Sequence, residues 1–136
     1  MSITSVRFNK KNQPEFFKEL NIRVNNYFKD NNITKFGNRA MWFKTAFMLC
    51  LYFIPLGFMV FGFVQTTAMA FLVWVLMGLG MAGIGLSVMH DANHGSYSSN
   101  KTTNKIFGFV LNFLGGFHTN WKIQHNVLHH SYTNIH

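Results

Sequence analysis

Imidazole groups are concentrated in the last third of this 136-residue sequence. All seven histidines follow residue 89, at positions His90, His94, His118, His125, His129, His130 and His136. The segments HDANH and HNVLHH repeat one spacing, with two histidines four residues apart. On a helix this spacing places both side chains on one face, about one turn apart. Two such helices facing each other could direct five imidazoles at a common point. The five candidate ligands are His90, His94, His125, His129 and His130.

Clusters of imidazole bind transition metals such as iron, copper, zinc or nickel. One zinc ion takes three or four protein ligands, so five candidates indicate more than one metal ion. Polar residues beside the histidines either fix the imidazole tautomers by hydrogen bonding or cap helices. These residues are Asp91, Asn93, Asn126 and Asn134. His118 and His136 fit neither spacing, and we interpret them as structural or exposed residues.

The elements that must position these histidines begin with a long segment that has no charge. Between Lys44 and Asp91 the chain runs for 46 residues without a charged side chain. Residues 45–64 and 69–88 are two apolar stretches, each about 30 Å long as a helix, which matches the hydrocarbon core of a bilayer. The QTTA sequence between them predicts a turn. The pattern therefore predicts a transmembrane helical hairpin, and it favours this over a buried hairpin in a soluble protein.

The second apolar stretch contains GLGMAG, which matches the GxGxxG pattern of nucleotide-binding loops. No predicted strand precedes it, and no acidic residue lies about 20 positions further on, so we reject a nucleotide site. We interpret four glycines as small residues that allow close approach of membrane helices. These glycines are Gly78, Gly80, Gly83 and Gly85.

Residues 1–44 form a basic segment with nine Lys or Arg residues and three acidic ones. Pro14 suits the first position of a helix, and the apolar residues that follow recur at helical spacing. These residues are Phe16, Leu20, Val24, Tyr27 and Phe28. They predict an amphipathic helix over residues 14–30. Because positive residues mark the cytosolic side of membrane proteins, we place residues 1–44 and the histidine region, 89–136, in the cytosol or at its interface.

The net charge of +8 does not indicate a nucleic-acid partner. The basic residues flank apolar spans and do not form a stripe interleaved with aromatic residues.

Residues 104–117 are apolar but too short to span a bilayer, which predicts an interfacial helix ended by Gly115 and Gly116. Thr119 is placed to cap a last helix that carries HNVLHH. The predicted fold class is an all-α integral membrane protein, with a transmembrane hairpin and amphipathic or interfacial helices.

The histidine segments resemble a known family. HDANHGSYS, then an apolar stretch ending in LGG, then W…HNVLHHSYTN resemble the first two histidine boxes of membrane fatty-acid desaturases, most of all the linoleoyl-CoA or front-end acyl desaturases. By position, His90 and His94 match the first box. His125, His129 and His130 match the second box. The resemblance implies that all five histidines bind iron.

The resemblance also implies a fold and a reaction. The fold has four spans and a cytosolic di-iron site. The substrate is an acyl-CoA or a lipid-linked acyl chain, which loses two hydrogens to form a double bond. O₂ is consumed, and electrons come from a cytochrome b-type haem protein or a ferredoxin.

The sequence departs from the family pattern because it contains no third histidine box. We therefore expect the chain to be the N-terminal part of such an enzyme, with a histidine region that is incomplete at its C-terminus. We expect the 136 residues to be inactive alone, since metal ligands are missing. Three alternatives stay open: a related lipid hydroxylase or ketolase, a bis-histidine haem protein, and a non-enzymatic metal-binding membrane protein.

Overall fold

The computed structural model describes residues 14–132, and within this range the chain is helical without strands. The α-helices are α1 (Pro14–Asp30), α2 (Arg39–Val60), α3 (Thr67–Gly83), α4 (His90–Asn93), α5 (Lys101–Phe109), α6 (His118–Lys122) and α7 (His130–Tyr132). Two segments are π-helical, Ile84–Met89 and Ile123–His129, and Val110–Leu114 is a 3₁₀ helix. Helix α1 has the predicted bounds, and it contains no buried residue.

Two helices are long and apolar enough to cross a membrane. Helix α2 has 22 residues, and a second helix of 27 residues runs without a break from Thr67 to Asn93 through α3, a π-helical segment and α4. At 1.5 Å per residue they are about 33 Å and about 40 Å long. Both exceed the hydrocarbon core of about 30 Å, so each is long enough to cross it.

Polar caps set the beginnings of these helices. The side chain of Asn38 accepts a hydrogen bond from the backbone N of Met41 at 3.0 Å. Helix α2 therefore begins six residues before the predicted stretch at residue 45, because its cap lies outside the apolar sequence. Thr66, in the predicted QTTA turn, caps α3 by accepting from the backbone N of Met69 at 3.2 Å.

Two of the four glycines singled out in the sequence lie where α2 packs against the second helix. A Cβ on Gly80 would lie 2.8 Å from the backbone N of Tyr52, and a Cβ on Gly83 would collide with Met48 Sδ. The predicted close approach is confirmed at these two positions. It is wrong for Gly78 and Gly85, where a Cβ would meet no atom of residues 14–132 within 4 Å.

The buried core lies at the end of the hairpin that leads to the histidines. Its residues are Tyr52, Ile84, Val88, Ala92 and Tyr97. The ring of Tyr97 contacts the rings of Trp42 and Phe107, with centroids 5.3 Å and 4.8 Å apart. The best-packed part of the chain thus supports the turn that follows His94.

Hydrogen bonds attach this turn to α2. The Thr45 hydroxyl donates to the carbonyl of Met41 at 2.9 Å, so the Tyr97 hydroxyl donates to Thr45 Oγ1 at 2.7 Å. The backbone N of Gly37 donates to the carbonyl of Tyr97 at 2.9 Å. Burial raises the pKa of Tyr97, which keeps its hydroxyl protonated as a donor. The beginning of α2 and the end of the second helix therefore lie together.

Replacing Tyr97 by phenylalanine tests this attachment. The substitution removes one buried hydrogen bond and leaves the ring packing, so the free energy of unfolding should fall by about 1 kcal/mol. Tyr27→Phe is the matched control, since Tyr27 is exposed. Equilibrium unfolding in mixed detergent measures both variants. Equal stability of the two variants would contradict a role for the Thr45–Tyr97 bond.

The predicted interfacial helix, residues 104–117, begins three residues earlier in the structure. It is α-helical in Lys101–Phe109 and continues as the 3₁₀ helix Val110–Leu114. Asn100 Oδ1 accepts from the backbone N of Thr102 at 2.8 Å, so α5 begins at Lys101. The following 3₁₀ helix ends at Gly115, whose φ of 86° confirms the predicted break. The predicted cap at Thr119 is wrong. Helix α6 begins at His118, whose backbone N donates to Asn112 Oδ1 at 2.9 Å.

Candidate metal centre

The two histidine motifs occupy the ends of two facing helical segments. His90 begins α4, and His94 directly follows that helix. His125 and His129 lie in the second π-helical segment, and His130 begins α7. His90 and His125 are 35 residues apart in sequence, yet their ring nitrogens are in contact.

Three imidazoles converge most closely. One ring nitrogen from each of His90, His94 and His125 lies within 4.8 Å of the other two. His90 Nε2 and His125 Nε2 are 3.2 Å apart. Two nitrogens at this separation can both reach one cation at about 2.1 Å, the bond length typical of zinc–imidazole sites. The donor set therefore fits a transition metal ion.

The remaining two candidate ligands border this group. The ring of His130 lies 5.1 Å from that of His94 and 4.9 Å from that of His125, measured between centroids. The ring of His129 stacks on that of His125 at 5.3 Å. All five predicted histidines are thus neighbours, with three at the centre and two beside them. His136 lies outside the described residues.

Asp91 orients one of the converging rings. Its Oδ1 lies 3.0 Å from His90 Nδ1. A carboxylate only accepts hydrogen bonds, so this contact places the proton of neutral His90 on Nδ1 and leaves the Nε2 lone pair facing His125. Of the two roles left open for Asp91, fixing a tautomer or capping a helix, this contact is of the first kind.

Asn93 and Asn126 join helices through backbone carbonyls. Asn126 Nδ2 donates to the carbonyl of Asn93 at 3.2 Å, and Asn93 Nδ2 donates to the carbonyl of Gly108 at 3.4 Å. These bonds connect the two histidine segments to each other and to α5. Asn134, the fourth residue predicted to support the histidines, lies outside the described residues.

Trp121 completes the site, although the sequence analysis did not select it. Its indole stacks on the His125 ring with centroids 4.3 Å apart and planes 18° apart. It also contacts the rings of His90 and His94 at 5.7 Å and 6.0 Å. The indole therefore covers one side of the three converging imidazoles and limits their rotation. Trp121 lies four residues before His125, the spacing that also relates the paired histidines, and this spacing could have predicted its position beside the His125 ring.

The electrostatics of the site favour neutral imidazoles. Desolvation among the other rings lowers the pKa of His94, and the neighbouring His90 and His130 lower it further, against a smaller opposing effect of Asp91. Desolvation and four neighbouring histidines also lower the pKa of His125. Both rings therefore lose their protons at lower pH than an ordinary histidine. Neutral imidazole is the form that binds metal ions.

His118 does not belong to this cluster. Its Nδ1 lies 3.2 Å from Asn112 Oδ1, and its ring contacts Phe109. These contacts agree with its interpretation as a structural residue.

A helical hairpin of membrane-spanning length that ends in converging imidazoles is typical of one class, the membrane proteins whose histidines can hold a metal ion. Residues 66–136, slightly more than half of the chain, match the family model described as fatty acid desaturase. The chain belongs to the fatty acid desaturase family, and the predicted all-α membrane fold is confirmed.

Curated relatives support the same assignment. The chain is 40% identical over 120 residues to the sn-1 linoleoyl-lipid 6-desaturase of Arthrospira platensis, which covers 88% of this chain and 32% of that protein. The protein of the same name from Synechocystis sp. is 35% identical, with 88% and 33% covered. The acyl-lipid (8-3)-desaturase of Mortierella alpina is 34% identical over 125 residues, with 88% and 28% covered. The chain thus spans about a third of the length of these relatives. No solved structure matches it significantly.

Proposed function

We propose that this chain supplies the first two spans and the first histidine ligands of an oxidoreductase, a desaturase that inserts a double bond into a lipid-linked acyl chain. The observation that carries this proposal is the convergence of His90, His94 and His125 at the end of the hairpin. The relatives support the substrate class, because their names specify linoleoyl-lipid and acyl-lipid substrates. A lipid-linked carrier is therefore favoured over acyl-CoA.

The proposed metal centre contains two iron ions. Five neighbouring imidazoles exceed the three or four ligands that one zinc ion takes from a protein, which supports more than one metal ion. When bound, iron supplies the oxidation of an unactivated C–H bond by O₂ with two electrons, a step that no acid or base in the chain can perform. The electron donor is proposed to be a cytochrome b-type haem protein or a ferredoxin.

The chain's own residues prepare the site for this chemistry. Asp91 holds His90 with its Nε2 lone pair directed at the cluster. Trp121 stacks on the His125 ring and contacts the rings of His90 and His94, which holds the three imidazoles in place. The second helix brings the cluster to the membrane boundary, where the acyl chain of a lipid can reach it without leaving the bilayer.

The same geometry supports an orientation. The hydrogen bond from Gly37 to Tyr97 brings the start of α2 next to the turn after His94, which supports one shared side of the membrane for the basic segment and the histidine region. We propose that this side is cytosolic, since positive residues collect there in membrane proteins, and that the complete protein is multi-pass with four spans.

The geometry disfavours the bis-histidine haem alternative. Axial ligands of one haem lie on opposite faces of the porphyrin. His90 Nε2 and His125 Nε2 are 3.2 Å apart, which is hydrogen-bonding distance and leaves no space for a porphyrin between them.

A chimera tests the proposed function. Residues 1–136 replace the aligned part of the Arthrospira platensis relative, expressed in a host that lacks the activity and is supplied with linoleate. The chimera should produce the 6-desaturated product. The same chimera with His125→Ala should form none, since the ligands act as a unit. Gas chromatography with mass spectrometry identifies the products.

Two outcomes would contradict the proposal. A chimera that accumulates in the membrane and binds iron but makes a hydroxylated product would favour a hydroxylase. Turnover by the 136 residues alone would contradict the proposed need for a larger enzyme. We expect no such turnover, because His94, His129 and His130 are exposed to solvent in this chain and water would reach the metal centre.

A further inference from the structure

A positively charged groove lies beside the metal centre. Its volume is about 410 Å³, and it is formed between the turn after α4, helix α5 and helix α6. The lining residues used below are His94, Lys101, Lys105, His118 and Lys122. His94 also belongs to the converging imidazoles, so the groove and the metal centre share a wall.

The lysines of the groove have no acidic partner. Lys101 and Lys105 are one turn apart on α5 and therefore lie on the same face of this helix. Lys122 approaches from α6, where it is half-buried. No carboxylate lines the groove, and within residues 14–132 none of the three lysines forms an ion pair. Three cations gathered without an anion repel each other, and a bound anion would relieve that repulsion.

The position of the groove indicates where the anion comes from. The groove begins at the end of the second membrane-length helix, which stops at Asn93. On α5, Ile106 and Phe109 are exposed apolar residues close to the two lysines in sequence. A helix that carries both lysines and exposed apolar side chains lies at the level of the lipid headgroups.

We propose that this groove binds the phosphate of the substrate's headgroup, and this inference rests on the proposed desaturase function. Because His94 borders both sites, a phosphate held here places the headgroup end of the substrate next to the metal centre. The carbons that reach the metal are then those near the carboxyl end of the acyl chain. A phospholipid and acyl-CoA offer the same phosphate chemistry to the lysines, and the test separates them.

The test measures binding by the purified 136-residue chain without iron. Native mass spectrometry in an uncharged detergent compares retention of dioleoylphosphatidylglycerol, coenzyme A and uncharged dioleoylglycerol. The groove variant combines Lys101→Gln, Lys105→Gln and Lys122→Gln. The control variant combines Lys18→Gln, Lys29→Gln and Lys44→Gln, which removes the same charge from helices α1 and α2. The groove variant should lose at least about tenfold in affinity for the phosphate ligand, and the control less than about twofold.

The outcomes distinguish all the cases. Selective retention of phosphatidylglycerol that only the groove variant loses supports the site with a phospholipid as its source. The same pattern with coenzyme A supports the site with acyl-CoA as its source. Equal losses in the two triple variants, or no preference for phosphate over dioleoylglycerol, would overturn the proposal. Iron is absent throughout, so phosphate binding can persist even if the chimera shows that the desaturase function is wrong.

Discussion

The His125→Ala variant is expected to bind ferrous iron at least about 100-fold more weakly than the unsubstituted chain, because loss of a ligand exceeds the 10- to 100-fold cost of losing a supporting hydrogen bond. His125 provides the nitrogen nearest to His90, at 3.2 Å, and its ring contacts those of His94 and His130. Its removal therefore takes away the nitrogen of the second motif that lies nearest to the first. Anaerobic titration against a chelator of known affinity measures the difference.

His118→Ala is the matched control for this experiment. It removes an imidazole from the same region, but His118 bonds to Asn112 and lies outside the cluster. Asp91→Asn should give an intermediate result, a loss of about 10- to 100-fold, since it weakens the orientation of His90 without removing a ligand. If His118→Ala weakened iron binding as much as His125→Ala, the assignment of the ligands would be wrong.

Replacing Gly80 by alanine should disrupt the packing of the hairpin. The added Cβ would lie 2.8 Å from Tyr52 N and 3.0 Å from the carbonyl carbon of Leu51, which are backbone atoms of α2. Neither can rotate away, so the two helices must separate. We expect the free energy of unfolding to fall by about 2 kcal/mol, a typical cost of overpacking.

The hairpin itself provides the control. Gly78→Ala makes the same chemical change two residues earlier, where a Cβ would meet nothing within 4 Å. Alanine favours helix over glycine by about 1 kcal/mol, so this variant should be as stable as the unsubstituted chain or more stable. Equilibrium unfolding in mixed detergent measures both. Similar destabilisation by the two substitutions would show that helix packing at Gly80 is not the cause.

The sequence predicts the membrane hairpin and the histidine cluster because both follow from simple periodicities. Two uncharged stretches of twenty residues need no tertiary information to be recognised as spans. The four-residue spacing of His90 and His94, repeated at His125 and His129, places each pair on one face of its helix. Helix beginnings were predicted less well, since the capping residues Asn38 and Asn100 lie outside the apolar patterns.

Other features depend on tertiary contacts that no local pattern encodes. No local pattern marks Lys101 and Lys122 as neighbours, and the chain brings them together through the 3₁₀ helix and the turn at Gly115. Thr119 resembles a cap by residue type, but the Asn112 side chain occupies that role from outside the helix. Which glycines contact α2 likewise depends on the rotation of the second helix, which its nearly uniform hydropathy does not specify.

The two π-helical segments allow the helices that carry the histidines to accommodate an extra residue. A π turn closes its hydrogen bonds from i to i+5 and so holds one residue more than an α turn. Ile84–Met89 lies directly before His90, and Ile123–His129 contains His125. Because the wider turn takes up this residue, deleting one residue ahead of His90 or His125 and closing the segment as an α turn would leave the histidines beyond it facing nearly the same way, whereas a deletion within an α-helix would rotate them by about 100°. A relative can therefore lack one residue ahead of either motif and still direct its histidines at a common point, provided that its helix is α-helical there.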